Sequence, residues 1–417
     1  MQNRRVVVTG LGAITPVGNT VADYWNGLLA GTSGAAPITK FDCSKFKTRF
    51  ACEVKGFDVT QFLDKKEARR MDQYTQYAMV VCDEAVVDSG LNLDTVDKDR
   101  VGVIWGSGIG GLKTFLDEVT VFARGDGTPR FTPFFIPMMI ADIAAGYISI
   151  KYGFRGPNFA VVSACATSTN AIADAFYYVK MGKADIILTG GSEACVNEAA
   201  VGGFNALHAL STRNDDPSTA SRPFDLDRDG FVLGEGAGGL MLEALDHAIA
   251  RGAKIYAEIV GCGLSADAHH ITAPHPQGLG ATNVMKNALE DAELKPEDID
   301  YINVHGTSTP LGDIAESQAI LKVFGDHAHK LNISSTKSMT GHLLGGAGAI
   351  EAIACIMAVK HDIVPPTINH FTDDPAFDPQ LNFTFHKPEK RTVNAALSNT
   401  FGFGGHNASC IFKKYEG

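Results

Sequence analysis

The sequence predicts an α/β fold made of two similar halves. Three observations carry that expectation. Strand-like runs alternate with helical stretches, four pairs of short runs match in the same order along the chain, and 44 glycines gather in turns after apolar runs.

The alternation is read from periodicity. Apolar runs such as Val6–Val8, Val101–Trp105, Phe159–Val162 and Ile299–Val304 are separated by helical stretches, among them Ser168–Met181, Asn283–Ala292 and Gly348–Lys360. Strands that alternate with helices form sheets covered on both faces. The duplication is fainter. Val8-Thr9-Gly10-Leu11-Gly12 is matched by Ile259-Val260-Gly261-Cys262-Gly263, and Val103-Ile104-Trp105-Gly106-Ser107 by Asn303-Val304-His305-Gly306-Thr307. Val161-Val162-Ser163-Ala164-Cys165 pairs with Ile333-Ser334-Ser335-Thr336-Lys337, and Ile187-Leu188-Thr189-Gly190-Gly191 with Ala396-Leu397-Ser398-Asn399. The halves divide near residue 250, giving 1–250 and 251–417, with different insertions in each. No long linker separates them, so they are expected to pack as one unit with a site at their junction. The glycines mark turns where backbone passes close to something else.

Composition narrows the function. Apolar residues at 45% and charged residues at 20% belong to a globular chain. A net charge of −11 argues against a nucleic-acid partner. The 8 cysteines form no Cys-x-x-Cys pair, so reduced, mostly buried thiols in a cytoplasmic protein are expected. The Val6–Val8 run starts too early for a signal peptide. No uninterrupted apolar run of about 18 residues exists, so no membrane-spanning helix is expected. The richest stretch, Phe134–Ile150, is broken by Asp142.

Gly106-x-Gly108-x-x-Gly111 follows a strand-like run as a dinucleotide fingerprint would. About twenty residues on, where such a site needs an acid ending a second strand, stands the loop Arg124-Gly125-Asp126-Gly127. No dinucleotide site is expected. Cys165 is different. It follows the run Phe159–Val162 and precedes a helical stretch, so a sharp turn presents it at a helix N-terminus, which favours a thiolate and supplies N–H donors to an oxyanion. A cysteine among alanines is ordinarily just a small buried residue. Here the surrounding hydroxyls and small side chains leave room for a ligand. His305 opens the hydroxyl-rich loop Gly306-Thr307-Ser308-Thr309-Pro310, and His342 lies among the glycines of Thr340–Gly348, just after Lys337. Either histidine alone reads equally well as a structural, hydrogen-bonded one. No Cys/His spacing fits a metal motif, so no catalytic metal is expected.

Together, Val162–Ser168, Val304-His305-Gly306-Thr307-Ser308-Thr309, Ser335–His342 and Asn399-Thr400-Phe401-Gly402-Phe403-Gly404-Gly405-His406-Asn407 resemble the β-ketoacyl-acyl-carrier-protein synthases, type II most closely. Ala220–Asp225 and Arg228–Phe231 match as well, and the resemblance runs from residue 4 to the C-terminus. It implies a thiolase-like fold, with duplicated halves in an α/β/α/β/α layered arrangement, and a homodimer. It also implies a decarboxylative Claisen condensation that elongates fatty acyl chains by two carbons. In that chemistry Cys165 takes the acyl group. His305 and His342, as neutral imidazoles, bind the malonyl thioester oxygen. Lys337 and Glu351 hold the histidines, and the N–H groups of Cys165 and Phe403 form an oxyanion hole. Thr307, Thr309 and Thr272 contact the substrate arm. Ile109 and Phe204 line the acyl tunnel, and Phe403 closes over Cys165 until acylation moves it.

The partner implied is an acidic acyl carrier protein, docked by Lys66, Arg69 and Arg70 with Arg130 nearby; a run of such charges is more often a solvated helix face. His208 stands where relatives often carry arginine. No cofactor is required beyond the carrier's phosphopantetheine, although some relatives hold a sodium or potassium ion, for which Asn303, Glu351 and Asn399 are the candidates here. A ketosynthase of a polyketide or other secondary-metabolite pathway is the alternative. A non-condensing chain-length factor would lack Cys165. A thiolase would need a second reactive cysteine in the C-terminal glycine loop, and Cys410 lies past it.

Overall fold

The computed structural model describes residues 4–417; the first three residues of the expected first half lie outside the described residues. Ten strands, the main scaffold, are labelled in chain order. In the first half these are β1 (Val6–Ile14), β2 (Val101–Gly106), β3 (Asn158–Val161), β4 (Ile186–Glu193) and β5 (Gly236–Ala244). In the second they are β6 (Ala257–Ala266), β7 (Tyr301–Asn303), β8 (Asn332–Ser334), β9 (Ala395–Gly402) and β10 (His406–Lys413). Their spatial order is β8-β7-β9-β10-β6-β1-β5-β4-β2-β3. Read outward from the middle, both halves run in the same order, so β1 corresponds to β6, β2 to β7, β3 to β8, β4 to β9 and β5 to β10.

The four matched sequence runs fall on corresponding strands or strand ends. Within the ten-stranded sheet the halves meet at one strand pair, β1 and β6. Val6, Val7 and Val8 pair antiparallel with Ile259, Glu258 and Ala257.

Six helices complete the layers: α1 (Gln73–Ser89), α2 (Leu112–Arg124), α3 (Thr167–Lys180), α4 (Leu279–Asp291), α5 (Pro310–Phe324) and α6 (Ala347–His361). Helix α1 packs on β1, β5 and β4, whereas α4 packs on β6, β10 and α5, so these form the outer layers. Helices α3 and α6 touch each other and the strands of both halves, which makes them the shared central layer. The sequence accounts for this placement. Ala347–Val359 is buried on every side, as a helix between two sheets must be.

That stretch, rather than Phe134–Ile150, is the richest apolar one. Leu344–His361 is long and apolar enough to cross a membrane by length and composition, although Glu351 interrupts it. It is instead the core helix, buried between the sheets.

The glycine fingerprint follows β2 and opens α2, but protein fills the space a nucleotide would need. A Cβ on Gly106 would meet Thr167 Cγ2 at 2.7 Å, and one on Gly111 would meet the Met138 carbonyl oxygen at 2.1 Å. The fingerprint is packing.

Candidate active site

The strand-to-helix turn after β3 builds the nucleophile's seat. Ala164 takes a left-handed backbone, φ +50°, which turns the chain sharply from β3 into the single helical turn Ala164–Ala166 ahead of α3. Thr167 locks that turn: its hydroxyl donates to the Ala164 carbonyl at 2.7 Å and accepts from the Ser163 N–H at 2.8 Å. Gly402, at the end of β9, comes so near that a Cβ there would sit 2.7 Å from the Ser163 oxygen. The glycine is therefore required for the loop after β9 to reach the turn, and the Phe403 N–H on that loop pulls the Cys165 thiol down.

The expected thiolate is not what this setting favours. Burial pushes the Cys165 thiol up to about 12, and the Lys337 charge and the Phe403 N–H oppose that only in part. The apolar neighbours on the acyl side, Val196, Ala200 and Leu344 among them, outweigh the helix N-terminus. The resting sulfur is a thiol. Its proton must leave as it attacks.

Two histidines arrive from the second half. The His305 and Gly306 N–H groups donate to Glu316 at 2.9 and 2.8 Å, which fixes the loop after β7. Burial raises that carboxyl to about 7 against the pull of those N–H groups. His342 follows Gly341, whose φ of +66° and contact with Cys52 leave no room for a side chain. The His342 N–H donates to Val232 O at 2.8 Å, and its carbonyl accepts from the Gly234 N–H at 2.9 Å. The two imidazoles lie edge to face, with centroids 5.3 Å apart and planes at 88°. Burial, and then the nearby Lys337 charge, hold both well below the usual histidine range, so both are neutral at physiological pH. Lys337 itself is buried and ion-paired with Glu351 on α6. Replacing either member of such a pair strands the other charge, a change that typically costs about 3–5 kcal/mol.

Cys165, His305 and His342 open on a cavity of about 490 Å³, also lined by Phe403, Phe204, Thr272, Thr307 and Thr309. The Thr307 and Thr309 hydroxyls lie 3.1 Å apart, and the Phe204 and Phe403 rings 6.5 Å apart. His208 lies at the cavity's exposed edge with φ +54°. Ile109 is not on this cavity. Its side chain is 43% exposed, because the Gly108–Ile109 backbone is turned inward towards Glu193.

Lys66, Arg69 and Arg70 stand exposed on and beside the short helix Lys65–Ala68, and none forms an ion pair among the described residues. Arg70 lies over the Phe134 ring at 4.9 Å, while Arg130 pairs with Asp126 at 3.5 Å. Two of the three candidate ion ligands have an oxygen to spare. Asn303 Oδ1 and Glu351 Oε2 are buried without a partner among the described residues. Asn399 does not share that freedom, since its Oδ1 accepts from Ser409 at 2.6 Å and its amide donates to Glu316 at 3.2 Å.

The sequence matches the β-ketoacyl synthase N-terminal domain over residues 3–248 and the C-terminal domain over residues 256–371. The chain belongs to the β-ketoacyl synthase family. It is 53% identical over 416 residues to a 3-oxoacyl-[acyl-carrier-protein] synthase 2 of Synechocystis, covering 100% of this chain and 99% of that one. Identity to the protein of the same name in Staphylococcus aureus is 50%, with the same coverage. Among solved structures, a β-ketoacyl synthase from Burkholderia phymatum superposes with a TM-score of 0.92 at 37% identity, covering 99% of this chain and 100% of that chain. A type II polyketide synthase ketosynthase in complex with its acyl-carrier protein superposes at 0.91 and 33%, covering 100% of both chains.

Sequence reasoning missed the buried carboxylates of this synthase, Glu193, Glu316 and Asp313. Glu193 had a legible signal, an acid closing the apolar run Ile186–Thr189. Glu316 and Asp313 had none, because they read as ordinary polar positions on an amphipathic helix.

Proposed function

We propose that the protein is a 3-oxoacyl-acyl-carrier-protein synthase that joins an acyl group on Cys165 to malonyl carrier protein and lengthens fatty acyl chains by two carbons. The observation that carries this reading is one cavity holding a cysteine thiol and two neutral imidazoles. In the first step Cys165 sulfur attacks the acyl thioester, the carrier thiol leaves, and the cysteine proton passes to it. The N–H groups of Cys165 and Phe403 hold the oxyanion.

In the second step malonyl thioester loses carbon dioxide. The electron pair of the broken bond becomes an enolate whose oxygen His305 and His342 stabilise as donors. That requires them uncharged, as their environment makes them. The enolate carbon then attacks the Cys165 thioester, the sulfur leaves, and one proton from solvent restores the thiol. Thr307, Thr309 and Thr272 contact the phosphopantetheine arm, and Phe204 bounds the acyl side. Asn303 and Glu351 would hold a monovalent cation. Intact mass measurement after incubation with acyl carrier proteins of graded length tests the reading. Acyl adducts on Cys165 are expected, and their absence at every length would refute it.

The carrier docks on Lys66, Arg69 and Arg70, with Arg130 beside them. An acidic partner meeting a chain of net charge −11 needs such a local cationic patch. Reversing the three charges should raise KM for carrier-borne substrates at least ~10-fold and leave pantetheine-thioester mimics almost unchanged. Equal loss on both substrates would instead mean a damaged fold.

The working form is a homodimer. β8 at one end of the sheet is covered by its own chain, through the Asn332–Asn382 bridge. β3, its counterpart, ends the sheet bare, with Val162 beside it 61% exposed. An open edge of this kind is a template for pairing with a second copy.

A further inference from the structure

Glu193 is completely buried at the end of β4 and has no cationic partner among the described residues. Its Oε2 accepts from two backbone N–H groups of different halves, Gly108 at 2.9 Å and Gly345 at 3.0 Å. Its Oε1 accepts from the Ile109 N–H and the Ser107 hydroxyl, each at 3.3 Å, and from the Cys195 thiol at 3.6 Å. The loops it joins are in direct contact, for a Cβ on Gly345 would fall 2.3 Å from the Gly108 nitrogen. Gly108 in turn backs onto the Ala164 carbonyl, the residue before the nucleophile, where an added Cβ would sit at 3.4 Å. Gly345 follows His342 by three residues.

A buried carboxylate without a counter-ion is an expensive way to tie two loops, and burial pushes it up to about 7. The second half repeats the device. Glu316 binds two successive N–H groups after β7, those of His305 and Gly306, as Glu193 binds Gly108 and Ile109 after β2, the counterpart of β7. In the second half the residue so held carries a ring into the cavity. In the first half the turn so held lies behind Cys165.

We propose that Glu193 is a positioning residue that sets the distance between the nucleophile and the histidine pair, through one carboxylate oxygen shared by the loop behind Cys165 and the loop beyond His342. This rests on the ketosynthase reading above. Acyl loading uses Cys165 and its neighbouring N–H groups, and malonyl decarboxylation uses the histidines. Each half-reaction draws mainly on one half of the molecule. Condensation needs both in register, and a misplacement of about 1 Å can cost about 100-fold.

Glu193→Ala tests this, because no side-chain oxygen remains and both loops lose their shared acceptor. Loading of Cys165, carbon dioxide release and condensation are measured on the same preparation beside the unmodified enzyme. Condensation should fall roughly 100-fold while each half-reaction stays within about threefold. Condensation unchanged, or all three falling by one factor, overturns the inference. If the alanine variant does not fold, Glu193→Asp keeps the charge but reaches less far, and the same split is expected of it. Failure of the unmodified enzyme to load any acyl group would sink the ketosynthase reading itself, whereas normal loading with no split in the variant sinks only the role given to Glu193.

Discussion

Cys165→Ala is expected to abolish acyl-enzyme formation and to lower condensation by at least on the order of 10,000-fold, a loss typical for removal of a covalent nucleophile. No other thiol can take over. Cys195 shares the apolar cluster around Cys165, but it is turned to Glu193, and burial beside that carboxylate raises it well above the usual thiol range. Cys262 and Cys410 face one another, sulfurs 3.3 Å apart, within the core. Intact mass should therefore record no acyl adduct at any chain length. Condensation near the unmodified rate would remove Cys165 from the mechanism. Cys165→Gln separates the two half-reactions further. Its amide resembles the acylated cysteine and the histidine pair is untouched, so carbon dioxide release from malonyl carrier protein should persist.

His305→Ala and His342→Ala should each slow that release by about 100- to 1,000-fold, the usual cost of one oxyanion donor, while Cys165 still accepts acyl groups. The pH dependence carries the same argument. Both imidazoles are held well below their ordinary value, so carbon dioxide release should be flat through pH 6.5, with no histidine limb there. Stability moves with a definite sign. Below about pH 6.5 the unfolded chain binds protons at these histidines that the folded chain refuses, so stability falls as the solution is acidified. An alanine variant loses part of that acid sensitivity. Thermal melting against pH would record the difference. A rate that falls with a midpoint near 6.5 would mean that the rings are not held neutral, and a release rate unaffected by either substitution would reject their role with the enolate.

Much of this was legible in the chain itself, for a physical reason in each case. The duplication could be read because corresponding strands carry similar apolar runs ending in small residues. Asn303–Thr307 and Val103–Ser107 look alike because both end a strand beside a packed helix. Cys165, His305 and His342 could be read because glycines and hydroxyls around a reactive side chain mark backbone in close approach. Other features depend on distance in space. The thiolate expectation failed because the apolar residues that desolvate Cys165 come from segments as far apart as Val196 and Leu344. The tie between Gly108 and Gly345 spans the two halves, and no local pattern marks it. Ile109 was expected in the acyl tunnel, but its turn faces Glu193 with the side chain outward, an orientation set by backbone hydrogen bonds that composition does not encode.

The shared central layer has a consequence for how the molecule comes to be folded. Helix α6 has no solvent-facing side of its own, and its two faces are covered by strands from residues hundreds apart in sequence. Neither half can complete a core alone, so the two repeats are not separable folding units despite their matching topology. During synthesis the first-half strands must wait, their inner face only partly covered by α3, until α6 has emerged and docked. Native structure then forms late and through long-range contacts, the regime in which folding is slow and partly built states present apolar surface to one another. The duplication that brings a nucleophile from one half and two histidines from the other to one cavity also commits the enzyme to a single, late, cooperative closure.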